Sequence, residues 1–137
     1  MRILVDTNVY LDLMLQRDRG YESSLKFFIW CKKNKNWNYV SSLSLRDIEY
    51  VANKVLHDKE KTRKILVDVY STCTKVIGIS ADCAINAIYQ DYKDFEDELL
   101  IQAAKENLLD CIVTNNKKHF LDRGIPAFSP EEIVLLS

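Results

Sequence analysis

The sequence predicts an α/β fold, namely a three-layer α/β/α sandwich around a mainly parallel central sheet. Short apolar runs that are typical of buried strands alternate along the chain with longer stretches of helical periodicity. The 137 residues, of which 47% are hydrophobic, are enough for one compact core, and no repeat or linker divides them. We therefore expect a single domain over residues 1–137, with its site beyond the carboxyl ends of the strands.

The N-terminal half of the chain contains two predicted strands and four predicted helices. Its first apolar run, Ile3-Leu4-Val5, ends at the polar triplet Asp6-Thr7-Asn8. In the second helix, periodicity places Leu25, Phe28 and Ile29 toward the core. In order, the predicted elements are a strand over residues 3–5, helices over 9–15 and 21–33, a strand over 37–41, and helices over 42–57 and 59–71.

The C-terminal half continues the same alternation. Ser80 and Ser129 are suited to cap the N-termini of two helices, and Pro130 is favoured in a first helical turn. The predicted elements are a strand over residues 75–79, helices over 81–90 and 94–106, a strand over 111–114, a short edge strand from residue 126 and a closing helix.

The composition disfavours several functional classes. Nineteen Lys and Arg against twenty Asp and Glu give a formal net charge of −1, which argues against a strongly basic surface for nucleic acid. The four scattered cysteines form no C-x-x-C pair, so we expect reduced thiols rather than a zinc site or a disulfide framework. No apolar run approaches the roughly 20 residues that span a bilayer, and no signal peptide precedes the first strand. We therefore expect a soluble, cytoplasmic protein with no membrane partner.

Four carboxylates are candidates for a site. Asp6 follows the first strand, where a parallel α/β fold places its ligands, although Asp also caps helices. Asp94 and Asp97 are three residues apart and share one face of a helix whose second half is apolar. Such like charges repel unless a cation or the helix dipole offsets them, and ordinary capping is the alternative. Glu49 lies next to the core-facing Ile48, or it is simply solvated.

Polar residues also follow the fourth predicted strand. Thr114, Asn115 and Asn116 form either an ordinary turn or a set of hydroxyl and amide groups that orient a metal-bound water. Asn8 is a comparable amide after the first strand. Neither a nucleophilic triad order nor a glycine-rich phosphate loop is visible, so these two classes of site are disfavoured.

Taken in order, these acids and the strand-end triplet resemble those of the PIN-domain family, in particular the toxin-type (VapC-like) ribonucleases of prokaryotic toxin–antitoxin pairs. The likeness spans nearly the whole chain and is carried by residues 4–9, 41–49, 94–97, 112–120 and 125–132. It implies a PIN-like fold and an endoribonuclease, dependent on Mg²⁺ or Mn²⁺, that hydrolyses RNA phosphodiester bonds with a metal-activated water. It also implies a small antitoxin partner and a homodimer.

The resemblance also implies roles for individual residues. Asp6, Glu49 and Asp97 are expected to bind the metal, with Glu49 as a ligand or as the acceptor of the water's proton. Asp94 and Asn116 are expected to orient waters or the RNA backbone. Further substrate contacts are expected from Asn8, Thr114, Lys117 and Lys118.

The sequence departs from the family pattern at three positions. Asn116 and His119 stand where aspartates are common, so the number of bound metal ions, one or two, stays open. Glu98 replaces a small residue and is expected at the rim of the site. Three tyrosines near the acids are candidates for stacking on RNA bases or for packing, namely Tyr10, Tyr50 and Tyr92.

Two other hypotheses stay open at this level. The reduced number of acids also fits a non-catalytic PIN-like module that binds protein or RNA without a metal. A phosphotransfer domain also places Asp after its first strand, but Asn8 stands where one such class requires a second Asp. Metal binding distinguishes the module from the nuclease.

Overall fold

A five-stranded parallel sheet forms the centre of the molecule. The computed structural model describes residues 1–136, and each strand pairing in that range is parallel. The strands lie in the order β3-β2-β1-β4-β5. They are β1 (Arg2–Val5), β2 (Trp37–Ser41), β3 (Lys75–Ile77), β4 (Cys111–Val113) and β5 (Ala127–Phe128).

In the part of the chain that the structure describes, seven helices cover the sheet, and a side-chain cap marks the start of six of them. Ser80 and Ser129 are caps as predicted, and Ser129 forms a reciprocal capping box with Glu132. The helices are α1 (Thr7–Met14), α2 (Tyr21–Lys33), α3 (Ser42–Leu56), α4 (Lys59–Thr72), α5 (Ala81–Ile88), α6 (Phe95–Glu106) and α7 (Pro130–Ile133), with a 3₁₀ turn at Lys117–His119.

Alternating side chains of the strands divide the core into two halves. Ile3 and Val5 of β1 pack on one face of the sheet, whereas Leu4 packs on the other. Helices α1 to α4 and α7 contribute to the first half, and α5 and α6 contribute to the second. The arrangement confirms the predicted α/β/α sandwich, with a sheet that is parallel throughout the described residues.

Local differences from the predicted elements have simple causes. The third strand ends at Ile77 rather than at residue 79, because its partner β2 ends at Ser41, which pairs with Ile77. The predicted inward placement of Ile29 is wrong: it is 47% exposed, and Phe27 is buried instead.

All four cysteines are free thiols as predicted, and burial raises the pKa of Cys31 to about 12. Across residues 1–136, no helix combines the length and apolar character needed to cross a membrane.

The strand order places β1 at the point where the chain changes direction across the sheet. From β1 the chain runs outward to β2 and β3, and then returns to β4 on the opposite side of β1. A crevice opens at such a point, beyond the carboxyl ends of the two neighbouring strands. Asp6 follows β1 and Thr114 follows β4, so both residues lie at this crevice.

Candidate active site

A cavity of about 340 Å³ lies at this crevice. Five carboxylates line it, and among the described residues that line it there is neither a lysine nor an arginine. Because these charges repel one another, the arrangement favours a cation as occupant. The lining residues are Asp6, Thr7, Asn8, Leu11, Asp47, Tyr50, Val51, Asp94, Glu96, Asp97, Asn116 and His119.

Asp6 is the most deeply buried acid of the cavity, at 8% exposure. One oxygen, Oδ1, accepts the main-chain N–H of Thr7 at 2.8 Å, and this contact caps α1. The other, Oδ2, accepts the hydroxyl of Thr114 at 2.8 Å, which ties the carboxylate to the end of β4. Burial raises the pKa of Asp6, and these two hydrogen bonds oppose the shift.

Asp94 and Asp97 occupy the N-terminal turn of α6. Asp94 caps the helix, since its Oδ1 accepts the N–H of Asp97 at 3.0 Å. Asp97 Oδ2 lies 2.6 Å from Nδ1 of His119, which reaches back from the 3₁₀ turn. Burial raises the pKa of Asp97 to about 6; the charges of Asp6 and Asp94 add to the shift, and His119 reduces it.

Asp47 and Glu96 bring α3 and α6 together across the cavity. The adjacent carboxyl of Asp47 raises the pKa of Glu96 to about 8, and partial burial adds to this shift. Asp47 Oδ2 is buried and, within residues 1–136, accepts no hydrogen bond. Two carboxyl groups in contact share a proton or a cation, because both cannot stay charged and uncompensated.

The residues present fit a divalent metal ion. Asp94, Asp97 and His119 each offer a ligand atom, and these three atoms lie within 4.8 Å of one another. Asp47 adds a further carboxylate to the same cavity. Carboxylate oxygens suit Mg²⁺ and Mn²⁺, and an imidazole nitrogen shifts preference toward Mn²⁺ and other transition metals.

Glu49, predicted as the third acid, lies outside this cavity. It is exposed and lines a separate groove between α3 and α4, together with Asn53, Lys59 and Arg63. Two positions along a helix correspond to about 200° of rotation, so Asp47 and Glu49 point to opposite sides of α3. The structure therefore brings Asp47, not Glu49, to the other acids.

The other predicted site residues fall into two groups. Asn8 and Asn116 line the cavity. Thr114 is fully buried and contacts Asp6 rather than the open cavity. Lys117 is bound by both oxygens of Glu132 at 2.9 Å, and Lys118 is exposed outside the cavity lining.

Of the three tyrosines and Glu98, only Tyr50 lines the cavity. Tyr10 is a core residue at 0% exposure, and its hydroxyl donates to Asn38. Tyr50 is 52% exposed and lines the cavity, whereas Tyr92 packs against Phe95 with ring centroids 5.2 Å apart. Glu98 is not at the rim: it is 2% exposed and forms a partly buried ion pair with Arg123.

Sequence reasoning did not assign three of the residues that meet here. Asp47, Glu96 and His119 all line the cavity. Glu96 lies between the predicted site residues Asp94 and Asp97, and these neighbours are the signal that could have found it. His119 follows the Thr114-Asn115-Asn116 motif by three residues, the spacing that returns a side chain over a short turn.

An acidic crevice at the switch point of a parallel sheet is where α/β proteins of this topology bind their ligands, and its carboxylates suit a cation. Comparison with protein families narrows this class, since the model of the PIN domain matches residues 2–118. The chain therefore belongs to the PIN domain family, a family of nucleases. This result confirms the resemblance seen in the motifs.

Several solved structures are similar to this chain. VapBC2 from Rickettsia felis, bound to a DNA fragment from its promoter, aligns with a TM-score of 0.69 at 21% identity, covering 94% of this chain and 98% of that chain. A toxin–antitoxin complex from Klebsiella pneumoniae gives 0.63 at 28% identity, covering 93% and 97%. VapC20 from Mycobacterium tuberculosis, a sarcin–ricin loop cleaving toxin, gives 0.64 at 15% identity, covering 80% and 86%. A comparison with curated protein sequences gives no match.

Proposed function

We propose that the chain is a metal-dependent endoribonuclease and the toxin of a toxin–antitoxin pair. The observation that carries the proposal is the cavity at the strand ends, where five carboxylates converge. Membership of the PIN domain family supports nuclease chemistry. The similar fold of VapC20, a toxin that cleaves the sarcin–ricin loop, supports RNA as the substrate.

Asp6, Asp94, Asp97 and His119 are the residues that we propose hold Mg²⁺ or Mn²⁺, with Asp47 in support. A divalent cation bound there supplies positive charge for the phosphate and lowers the pKa of a water that attacks it. The chain itself supplies fixed geometry. Thr114 and the backbone of Thr7 hold both oxygens of Asp6, and His119 holds one oxygen of Asp97.

The site needs no protein nucleophile under this proposal. Its lining contains no serine or cysteine within the described residues, and its one threonine, Thr7, donates its hydroxyl to Ser44 at 2.9 Å. We propose a water as the attacking group. The net charge of −1 is compatible with RNA binding, because a cation held by carboxylates adds positive charge where the phosphate lies.

An antitoxin and a homodimer are part of the proposal. The similar structures from Rickettsia felis and Klebsiella pneumoniae are toxin–antitoxin assemblies, which supports a small protein partner for this chain. A neighbouring reading frame that encodes a small DNA-binding protein is the expected finding, and light scattering of the purified chain tests the dimer. Fractionation of cells tests the cytoplasmic location.

A ribonuclease assay tests the proposed activity. Wild-type protein is expected to cleave RNA with Mn²⁺ or Mg²⁺ and to stop when EDTA is added. Asp6→Asn and Asp97→Asn keep the side-chain shape but remove a charge, so each is expected to lower the rate by more than about 100-fold. Glu22→Gln, an exposed acid on α2, is the matched control and should cleave at the wild-type rate. Full activity of Asp97→Asn would overturn the proposed roles.

One observation favours the non-catalytic module as a second candidate. His119 Nδ1 lies 2.6 Å from Oδ2 of Asp97, so this contact can satisfy the carboxylate without a metal ion. Under that alternative the contact is permanent and metal does not bind. Calorimetric titration with Mn²⁺ decides the question, since heat of binding that disappears in Asp97→Asn supports the nuclease and no heat at millimolar Mn²⁺ supports the module.

A further inference from the structure

A chain of hydrogen bonds connects a buried acid to the rim of the cavity. Asp12, on α1, is 7% exposed and accepts at both oxygens. Its Oδ1 accepts Nε of Arg17 at 2.7 Å, and its Oδ2 accepts Nδ2 of Asn115 at 2.8 Å. Asn115 follows Thr114, which is the hydrogen-bond partner of Asp6. Asp12 is therefore tied to the same strand end as the site.

Arg17 carries the connection onward to Asn8, which lines the cavity. Its Nη2 donates to Asn8 Oδ1 at 3.0 Å and to the main-chain oxygen of Asn8 at 3.3 Å. Arg17 engages the amide oxygen of Asn8. The Nδ2 group of Asn8 carries two further N–H donors. Within residues 1–136, those donors and the Nη1 group of Arg17 make no hydrogen bond.

The loop between α1 and α2 is shaped around this ion pair. A Cβ atom at Gly20 would lie 1.9 Å from Oδ2 of Asp12, so only glycine permits the contact. The N–H of Arg17 donates to the main-chain oxygen of Asp12 at 3.1 Å, which fixes the start of the loop. Arg17 is therefore held in one place before any ligand arrives, and a held guanidinium loses little entropy on binding.

We propose that Arg17 and the amide of Asn8 form a subsite for a backbone phosphate of the RNA substrate at the rim of the acidic cavity. The inference rests on the proposed nuclease function and adds to it the cation that the cavity lining lacks. The guanidinium fork suits phosphate oxygens, and its side chain is 37% exposed beside the rim. Asn8 contacts Arg17 and lines the same cavity as the acids.

Other cations near the cavity are less suited to this task. Arg46 lies 3.6 Å from Asp47 and 5.2 Å from the ring centroid of Tyr50, but its side chain is 69% exposed, against 37% for Arg17. Lys117 pairs with Glu132, whose side chain is 47% exposed, so no buried group fixes it in place. Arg17 is the cation that a buried carboxylate fixes against a residue of the cavity lining.

The salt dependence of RNA binding tests the proposal. Fluorescein-labelled single-stranded RNA is titrated with wild-type protein in Ca²⁺, which binds carboxylate oxygens in place of Mn²⁺, and anisotropy is followed from about 50 to 200 mM salt before cleavage sets in. Arg17→Gln is expected to weaken binding about tenfold and to reduce the slope of log K against log salt by about 0.7, the value of one phosphate contact on a single strand. Arg19→Gln, an exposed arginine of the same loop, removes the same charge and should change the slope far less.

Two further variants separate phosphate binding from a structural role. Asn8→Leu removes the N–H donors without adding a charge to the cavity, so it should bind RNA less tightly while its circular dichroism spectrum stays that of wild type. Arg17→Lys should restore the slope while recovering only part of the affinity. Equal slopes for Arg17→Gln and Arg19→Gln, with wild-type protein still cleaving RNA, would overturn the subsite alone. Wild-type protein that neither binds nor cleaves RNA would overturn both the subsite and the proposed function.

Discussion

Thr114 shows how a single hydroxyl outside the cavity lining supports the site, because it holds one oxygen of the buried Asp6. Thr114→Val keeps the shape of the side chain but leaves that oxygen without a donor. We expect the free energy of unfolding to fall by about 1–3 kcal/mol and the affinity for Mn²⁺ to fall about tenfold or more. Urea unfolding and calorimetry measure the two effects. Thr114→Ser keeps the hydroxyl and is the control; unchanged Mn²⁺ affinity in Thr114→Val would show that this contact does not serve the site.

The two acids of α3 give a second test at the scale of one residue. Asp47 lines the cavity, whereas Glu49 lies in the groove beside α4. We expect Asp47→Asn to lower ribonuclease activity by about 10- to 100-fold, as loss of a group that supports metal ligands does. Glu49→Gln removes the same charge two residues away and should stay within twofold of wild type. The reverse result would restore Glu49 to the site and remove Asp47.

The contrast between these two acids also marks where sequence reasoning ends. The positions of Asp6, Asp94 and Asp97 follow from local signals, since each stands at a strand end or a helix start. The choice between Asp47 and Glu49 depends on which side of α3 faces the crevice, and long-range packing decides that. The Arg17–Asn8 contact is likewise set by the buried Asp12, whose role no local pattern of the sequence indicates.

At the scale of an element, the first turn of α6 carries two functions that can be separated. Asp94 caps the helix and also belongs to the proposed metal site. Asp94→Ser keeps a capping oxygen, so we expect stability to stay within about 0.5 kcal/mol of wild type while Mn²⁺ binding weakens. Asp94→Ala should weaken Mn²⁺ binding equally and also lose about 1 kcal/mol of stability. Thermal unfolding and calorimetry measure both, and unchanged Mn²⁺ binding in Asp94→Ser would leave capping as the only role of Asp94.

The boundaries of most elements were predictable because the signals that set them are local. The predicted bounds of α2 and β2, residues 21–33 and 37–41, are those observed. Helix caps such as Ser80 and Ser129 act on the next few N–H groups and need no tertiary contact. The length of β3 is set by a tertiary contact instead, because an edge strand extends only as far as its neighbour β2 offers hydrogen bonds.

At the scale of the whole molecule, folding brings together five acids that are dispersed in the unfolded chain. Their repulsion lowers the free energy of unfolding by an amount that depends on pH. The pKa of Asp97 rises to about 6 through burial, and that of Glu96 rises to about 8 through contact with Asp47. The pKa of Asp6 is also raised by burial. Between their ordinary values and these raised ones, the folded chain binds more protons than the unfolded chain.

The sign of the pH effect follows from that difference in bound protons. The free energy of unfolding falls as pH rises wherever the folded state holds more protons, so metal-free protein should lose stability from about pH 5 to pH 8. The lowered pKa of Glu131 and of Glu132 acts in the opposite direction, but only near and below their ordinary value of 4.5.

We expect urea unfolding in EDTA to give a lower midpoint at pH 8 than at pH 5. Mn²⁺ should raise the midpoint far more at pH 8, because the ionised acids then bind it and the unfolded chain does not. Glu96→Gln, which cannot ionise, should flatten the decline between pH 6 and pH 8. A stability that rises over this range in EDTA would mean that the acids do not crowd one another in solution.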